Sequence, residues 1–336
     1  MSPRRLYGER VHGKGKWIIA LIIVALVVFK IYKRNVGPTF IVADESELGI
    51  SAVEPDNEDS AVLPTTRPVS DPNVHHIAGL SLESNPGAAI PVDDILAEID
   101  TNGPQVIEAR DKLNEMLSTT ISEEQLSSVK RQLSALSEKW LFGRAVFPDD
   151  KLCGRYQVES GDSLEALGRR FKVPYRIIMR INSISDPTAL RAGETIKIVK
   201  GPFRCKVYRS NFKMDLYLQD TFVRSFVVGL GKPGRETPTG LWRVKGKLLS
   251  PTWTDPDTGK TYESGDPDYP LGARWIALEG LDGDAKGRTG FAIHGTKNPE
   301  QLGTAGSRGC IRLYNEDVKL VYDLLRAGVS EVVVVE

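Results

Sequence analysis

No charge of either sign dominates this chain: 44 lysines and arginines face 44 aspartates and glutamates over 336 residues. That balance argues against a nucleic-acid binder, which would call for a basic stripe. Cysteine is scarce, with only Cys153, Cys205 and Cys310, and an odd number leaves at least one thiol unpaired. Apolar runs are short as well. Trp17 to Phe29 is thirteen uninterrupted residues, or sixteen with Lys30 inside and Ile31 and Tyr32 beyond it. A spanning helix usually needs about 20, so the length is marginal, although a lysine near the end can snorkel. The small residues of a cleavage site are missing too, because Lys30-Ile31-Tyr32-Lys33-Arg34-Asn35 follows the run. The expectation is an uncleaved signal anchor over 17–34. Arg4, Arg5, Arg10, Lys14 and Lys16 make 1–16 a basic cytoplasmic segment, with the remainder of the chain exported.

Hydrophobic periodicity is absent next. Residues 41–90 hold nine acids, one base (Arg67) and five prolines. Such a stretch buries too little apolar surface to offset its ordering entropy, so 35–90 is expected to be a disordered acidic linker. A helical segment over 91–150 follows, with helices read at Val92 to Ile99, Pro104 to Leu117 and Ser122 to Leu141. The last opens on a Ser122-x-x-Gln125 capping box and carries Leu126, Val129, Leu133, Leu136 and Trp140 as an apolar stripe. That stripe must bury against something: a hairpin of its own, the unit that follows, or a partner protein.

The residues that carry chemistry lie near the end. His294-Gly295-Thr296 precedes Ser307-Arg308-Gly309-Cys310-Ile311-Arg312, which sets a base and a thiol sixteen residues apart. A free thiol titrates near ~8.5 and is only a few per cent thiolate at neutral pH, so a catalytic cysteine needs a base. His294 is the candidate base and Cys310 the candidate nucleophile. Gly309 lets the backbone approach a carbonyl, and the Gly309 and Cys310 amides are candidates for an oxyanion hole. Taken singly, Cys310 reads equally as a small buried hydrophobe and His294 as a satisfied polar residue; the combination is what points to acyl transfer.

The sequence His-Gly-Thr followed one loop later by Ser-x-Gly-Cys-Ile-Arg-Leu resembles the active site of the L,D-transpeptidases, the YkuD family. Thr237-Pro238-Thr239-Gly240 resembles that family's Thr-Pro-x-Gly turn, and Pro270-Leu271-Gly272-Ala273-Arg274-Trp275 its Leu-Gly-x-Arg strand, so the resemblance spans 203–336. Many members carry a second His where this chain has Arg308. The resemblance implies a transferase of cell-wall construction. His294 deprotonates Cys310, the thiolate attacks the third residue of a peptidoglycan stem tetrapeptide, and D-alanine leaves. An amine on a neighbouring stem then takes the acyl group to form a 3→3 cross-link. Water in place of the amine would make the protein an L,D-carboxypeptidase. Arg312, Ser307 and Arg308 are candidate substrate-binding residues. Arg312 either holds a substrate carboxylate or anchors the loop, and Ser307 reads mainly as a turn residue supporting it. No cofactor and no metal are expected. Covalent modification of Cys310 by carbapenem-type β-lactams is implied.

A second unit lies upstream at 154–200. A strand at Tyr156-Gln157-Val158 leads through Ser160-Gly161 to a helix that Asp162 and Glu165 would cap as a box; Pro174 opens a second helix, and Ala192 to Ile198 closes the unit. This βααβ pattern, with Gly-Asp-Ser-Leu, Ile181-Asn182 and Ala-Gly-Glu-Thr-Ile, resembles a LysM domain. The resemblance implies binding of N-acetylglucosamine-containing glycan, with Gly161, Asp162, Ser163 and Asn182 as candidate contacts. Terminal LysM strands are antiparallel neighbours, so Cys153 and Cys205, lying outside them, are a candidate disulfide if Cys310 stays free; two separately buried thiols are the alternative.

The region 203–336 reads as mainly β. Phe212 to Leu218 alternates, turns at Gln219-Asp220 and returns through Phe222 to Val228, and a helix from Asn315 precedes a strand at Glu331 to Val335. A β-sandwich with a capping helix is the expected catalytic fold, joined to the small βααβ LysM unit and the membrane anchor. A papain-like peptidase would place Cys before His, and a sortase would need a Thr-x-Thr-Cys strand; neither fits. A peptidoglycan-binding protein without activity is the alternative from another class. The expected partners are stem peptides, glycan strands and the bacterial membrane that the anchor spans once, with the catalytic part exported.

Overall fold

The structure, a computed structural model, describes residues 105–336. The basic segment 1–16, the anchor 17–34, the linker 35–90 and the helix read at Val92 to Ile99 lie outside the described residues. Among the described residues no helix is long and apolar enough to cross a membrane.

Two helices open the structure, α1 (Val106–Met116) and α2 (Glu123–Trp140). The Ser122 capping box forms as expected, with the Gln125 amide donating to the Ser122 hydroxyl. The βααβ unit follows as β1 (Cys153–Gln157), α3 (Leu164–Arg170), α4 (Tyr175–Asn182) and β2 (Thr195–Val199), with β1 and β2 antiparallel. Its first helix is capped one residue later than the sequence suggests. Asp162 instead accepts from the Tyr156 hydroxyl at 2.7 Å and the Glu159 amide at 2.9 Å, which leaves Ser163 to accept from the Ala166 amide at 3.2 Å.

The remaining strands are β3 (Phe203–Tyr208), β4 (Lys213–Leu218), β5 (Thr221–Val227), β6 (Leu230–Gly231), β7 (Gly240–Leu248), β8 (Trp253–Thr254), β9 (Thr261–Tyr262), β10 (Trp275–Asp282), β11 (Phe291–His294), β12 (Ala305–Ser307) and β13 (Ile311–Arg312). Helix α5 (Asn315–Leu324) and β14 (Glu331–Val335) complete the chain. The expected sandwich is, by its hydrogen bonding, one eight-stranded mixed sheet in the order β13-β11-β10-β7-β14-β3-β4-β5. The last strand causes the difference: β14 inserts between β7 and β3, antiparallel to one and parallel to the other, and joins the two halves.

The stripe on α2 has its partner inside the chain. Val129, Leu133, Leu136 and Trp140 are buried, and α2 packs on β5, the edge of the large sheet. An open edge offers unpaired backbone groups, and Asn114 of α1 satisfies one of them: the Phe222 amide donates to Asn114 Oδ1 at 2.9 Å. Lys130 reaches Asp215 at 2.6 Å, and Arg224 pairs with Glu138. The same helix is tied to the βααβ unit. Buried Lys197 of β2 donates to the carbonyls of Trp140, Gly143 and Ala145 at 2.7, 2.6 and 2.8 Å, placing a cation at the C-terminal end of α2. Lys197→Met keeps the stem and removes the donors, stranding three carbonyls. We expect a loss of about 2–4 kcal/mol in urea unfolding, and an unchanged midpoint would show that the contact contributes nothing.

The candidate disulfide is not formed. Cys153 pairs with Val199 in the β1–β2 ribbon, whereas Cys205 lies on β3 inside the large sheet, between Leu216 and Val332. Both are buried free thiols in different sheets. Burial, with Asp150 nearby, pushes the Cys153 thiol up to about 12, and burial raises Cys205 as well. Thiol titration of denatured, unreduced protein is therefore expected to count three free thiols; a single one would restore the bridge.

Candidate active site

The register of three neighbouring strands assembles the site. His294 ends β11 opposite Trp275 of β10 on one side and Arg312 of β13 on the other. Alternation along a strand sends Ile293 and Ile311 into the core, at 0% and 1% exposure, and puts Ala292, His294, Cys310 and Arg312 on the opposite face. The short parallel pairing thus brings the segment that carries the cysteine alongside the strand that ends in the histidine. The imidazole stacks on the Trp275 ring, with centroids 5.5 Å apart and planes at 19°, and its Nδ1 lies 2.6 Å from the Gly295 carbonyl. Cys310 is half-buried, packed with Tyr269, Leu271, Trp275 and Ala292, and its Sγ lies 4.0 Å from the Gly290 carbonyl.

Both groups rest neutral. Burial pulls the His294 pKa down to about 4, and the Arg312 charge pushes it the same way. Burial raises the Cys310 thiol, opposed by the Ala292 amide and Arg312. The site is therefore poised as a free base beside a protonated thiol, not as a preformed ion pair. Alkylation of Cys310 by a neutral reagent should climb steadily through pH 7 without a plateau set by a thiol of depressed pKa; a pH-independent rate between about 5 and 8 would contradict it. Stability follows the same shift. His294 titrates lower in the folded chain than the ordinary ~6.5, so the unfolded chain binds more protons between these values. Its contribution is fully present above about 6.5 and is lost as pH falls toward 4.

Sequence reasoning misplaced several roles in the loop that carries the thiol. The Gly309 amide is not available to an oxyanion, because it donates to the Ser307 hydroxyl at 3.1 Å. Gly309 is required for its backbone instead: its φ is +112°, and a Cβ there would lie 2.6 Å from the Phe291 ring. The Cys310 amide, with no partner among the described residues, is the donor left for that task. Ser307 is buried and donates to the Cys310 carbonyl at 2.7 Å, so it shapes the loop and is closed to substrate. Arg308 is taken up by Asp257 at 2.8 Å and Asp255 at 3.1 Å. Arg312 stays on the site face, with one guanidinium nitrogen on Gln301 at 2.6 Å.

Two supporting residues carried no such signal in the sequence. Thr237, read only as part of a turn, accepts from the Gly231 amide at 3.1 Å and donates to the Gly309 carbonyl at 2.8 Å, pinning the thiol loop from outside. Asn315, read only as a helix opener, accepts from the Ala273 amide and donates to the Thr296 carbonyl, each at 3.1 Å, which binds the segments flanking His294. Among the described residues no group of three or more His, Cys, Asp or Glu side chains could hold a metal ion.

The four LysM candidates fare unevenly. Asn182 is spent internally, donating to the Ile178 and Lys197 carbonyls and accepting from the Lys197 amide, all at 2.8 Å. Asp162 and Ser163 hold the first turn, and exposed Gly161, at φ +91°, forms its bend. A cleft of about 610 Å³ opens beside the end of α4, lined by Ser183, Ile184, Ala189, Arg191 and also Arg144, which comes from outside the unit.

A histidine at the end of β11 opposite Arg312 of β13, and a cysteine just before β13 with an amide unpaired among the described residues, are the kinds of group an acyl-transfer site uses. Residues 203–334 match the L,D-transpeptidase catalytic domain model, YkuD, and residues 156–199 match the LysM domain model. The chain therefore carries an L,D-transpeptidase catalytic domain of the YkuD type behind a LysM domain. Among curated relatives, "Putative L,D-transpeptidase YkuD" of Bacillus licheniformis is 28% identical over 170 residues, 48% of this chain and 88% of that protein. "Probable L,D-transpeptidase ErfK/SrfK" of Escherichia coli is 35% identical over 118 residues, 32% of this chain and 35% of that protein. Of solved structures, an L,D-transpeptidase from Mycobacterium smegmatis is 16% identical, with 43% of this chain and 64% of that chain covered and a TM-score of 0.31. The catalytic domain of the Enterococcus faecium L,D-transpeptidase is 26% identical, with 39% and 95% covered and a TM-score of 0.31.

Proposed function

We propose that the protein is a cell-wall L,D-transpeptidase that acts through a cysteine acyl-enzyme while its LysM domain holds peptidoglycan glycan. The observation that carries this reading is the parallel pairing that sets His294 of β11 opposite Arg312 of β13, with Cys310 as the residue that leads into β13. In this scheme neutral His294 takes the Cys310 proton as the thiol attacks the carbonyl of the third stem residue. The oxygen becomes negative next to the Cys310 amide, and the proton passes to departing D-alanine. In this scheme Arg312 holds a stem carboxylate with the donors it does not spend on Gln301. A second stem amine then attacks the thioester, closing a 3→3 cross-link and freeing the thiol. An exported location follows from that substrate. The anchor assigned to 17–34 rests on the sequence alone, from its apolar run and basic flanks.

Incubating the protein with disaccharide-tetrapeptide and resolving the products by mass spectrometry tests the reading. Dimers linked 3→3 with one D-alanine released per cross-link are expected. Shortened tripeptides without dimers would assign carboxypeptidase activity, and unaltered tetrapeptide would leave only a binding protein.

A further inference from the structure

The 26 residues between β7 and β10, numbers 249–274, leave the large sheet at the end where Trp275 pairs with His294. This excursion carries the small β8–β9 hairpin. Trp253 and Tyr262 stack across it at 6.0 Å, and both pack on the same apolar cluster as Cys310. Its tip is built around Asp255, whose carboxylate accepts from the Asp257 amide at 2.8 Å and the Thr258 amide at 3.3 Å. Ion pairs join that tip to the loop holding the thiol. Arg308 spans both acids, with Nε on Asp257 at 2.8 Å and Nη2 on Asp255 at 3.1 Å. Arg235, from the turn before Thr237, reaches Asp257 at 3.2 Å. The two arginines hold the Asp257 carboxyl below the usual range.

We propose that Arg308 is a positioning residue whose bridges to Asp255 and Asp257 latch the β8–β9 hairpin over Cys310 and so set how readily reactants reach the thiol. The inference rests on Cys310 being the reacting group proposed above, but it concerns access and not chemistry. Arg308 and Asp257 are partly exposed, at 35% and 42%, so dissolved salt reaches the latch. Such pairs weaken as the Debye length falls from about 10 Å at 0.1 M to about 3 Å at 1 M salt. The hairpin then opens more often, and the thiol is exposed for a larger share of the time.

Iodoacetamide is neutral and small, so its reaction with Cys310, followed by peptide mass spectrometry on the whole chain, reads access without requiring turnover. The wild-type rate at pH 7 is expected to rise about three-fold to ten-fold between 0.1 M and 1 M NaCl, the range open to partly exposed ion pairs acting together. Arg308→Gln should react at the high-salt rate already at 0.1 M and respond little to salt. Arg308→Lys, which keeps the charge but lacks the fork, should fall between them. Removing a positive charge near a thiol would by itself disfavour the thiolate and slow the reaction, so acceleration separates the latch from a simple field effect. A wild-type rate indifferent to salt, or an Arg308→Gln rate equal to or below wild type, overturns the proposal. The salt titration of the wild-type chain decides the matter even if the glutamine variant fails to fold. Failure of the transpeptidase reading would show as absent cross-linking with this salt response intact.

Discussion

Cys310→Ala is expected to abolish D-alanine release and acyl-enzyme formation altogether, with no compensating nucleophile. The other two thiols are buried in separate sheets and pushed far up in pKa, so neither can take over. Cys310→Ser should be almost as damaging. A serine hydroxyl is a far poorer nucleophile at neutral pH, and burial that already opposes a thiolate opposes an alkoxide more strongly. Because Cys310 sits half-buried at the surface of its cluster, removing one sulfur should leave the melting temperature and glycan binding nearly unchanged. Tetrapeptide turnover by either variant at even a hundredth of the wild-type rate would place the chemistry elsewhere.

The second large effect belongs to His294. Its change to Ala should lower the rate of acylation by about 10²-fold to 10⁴-fold, the usual cost of losing a general base. The thiol pKa lies above its ordinary value, so without the imidazole only the small thiolate fraction set by solvent pH remains. The variant's residual rate should accordingly rise about ten-fold per pH unit through neutrality, whereas the wild-type enzyme depends far less on pH above the imidazole's own titration near 4. Parallel pH profiles in the two proteins would mean that His294 is not the base.

These two residues were legible in the sequence because their chemistry is written locally: a histidine at the end of an apolar strand, and a cysteine after a glycine one loop later. The helices α1 and α2 were legible for a similar reason, since capping and helical periodicity are short-range signals. What each element packs against was not. The α2 stripe announced a buried face, but only the topology shows that β5 lies nearly a hundred residues ahead as an uncovered edge. Lys197 reads as a polar position in a short strand, and its role at the end of α2 depends on a helix that finishes 57 residues earlier. The same distance problem hid Thr237 and Asn315, whose partners lie 72 and 42 residues away. Arg308 was misjudged in the opposite direction. Its position beside the cysteine suggested contact with substrate, while the acids that claim it are 51 and 53 residues upstream. For Gly309 the sequence suggests a bare backbone and a free amide; the fold uses its positive φ and its lack of a Cβ, and spends the amide on Ser307.

The central claim is that Cys310 carries the stem peptide as a thioester. Incubating the protein with a carbapenem, and separately with tetrapeptide donor in the absence of acceptor, followed by intact-mass and peptide mapping, tests it most directly. The account predicts one added acyl group per chain, located on the peptide containing Cys310, slow to form in His294→Ala and absent from Cys310→Ala. An unmodified wild-type protein, or an equal adduct on the Cys310→Ala chain, would contradict it.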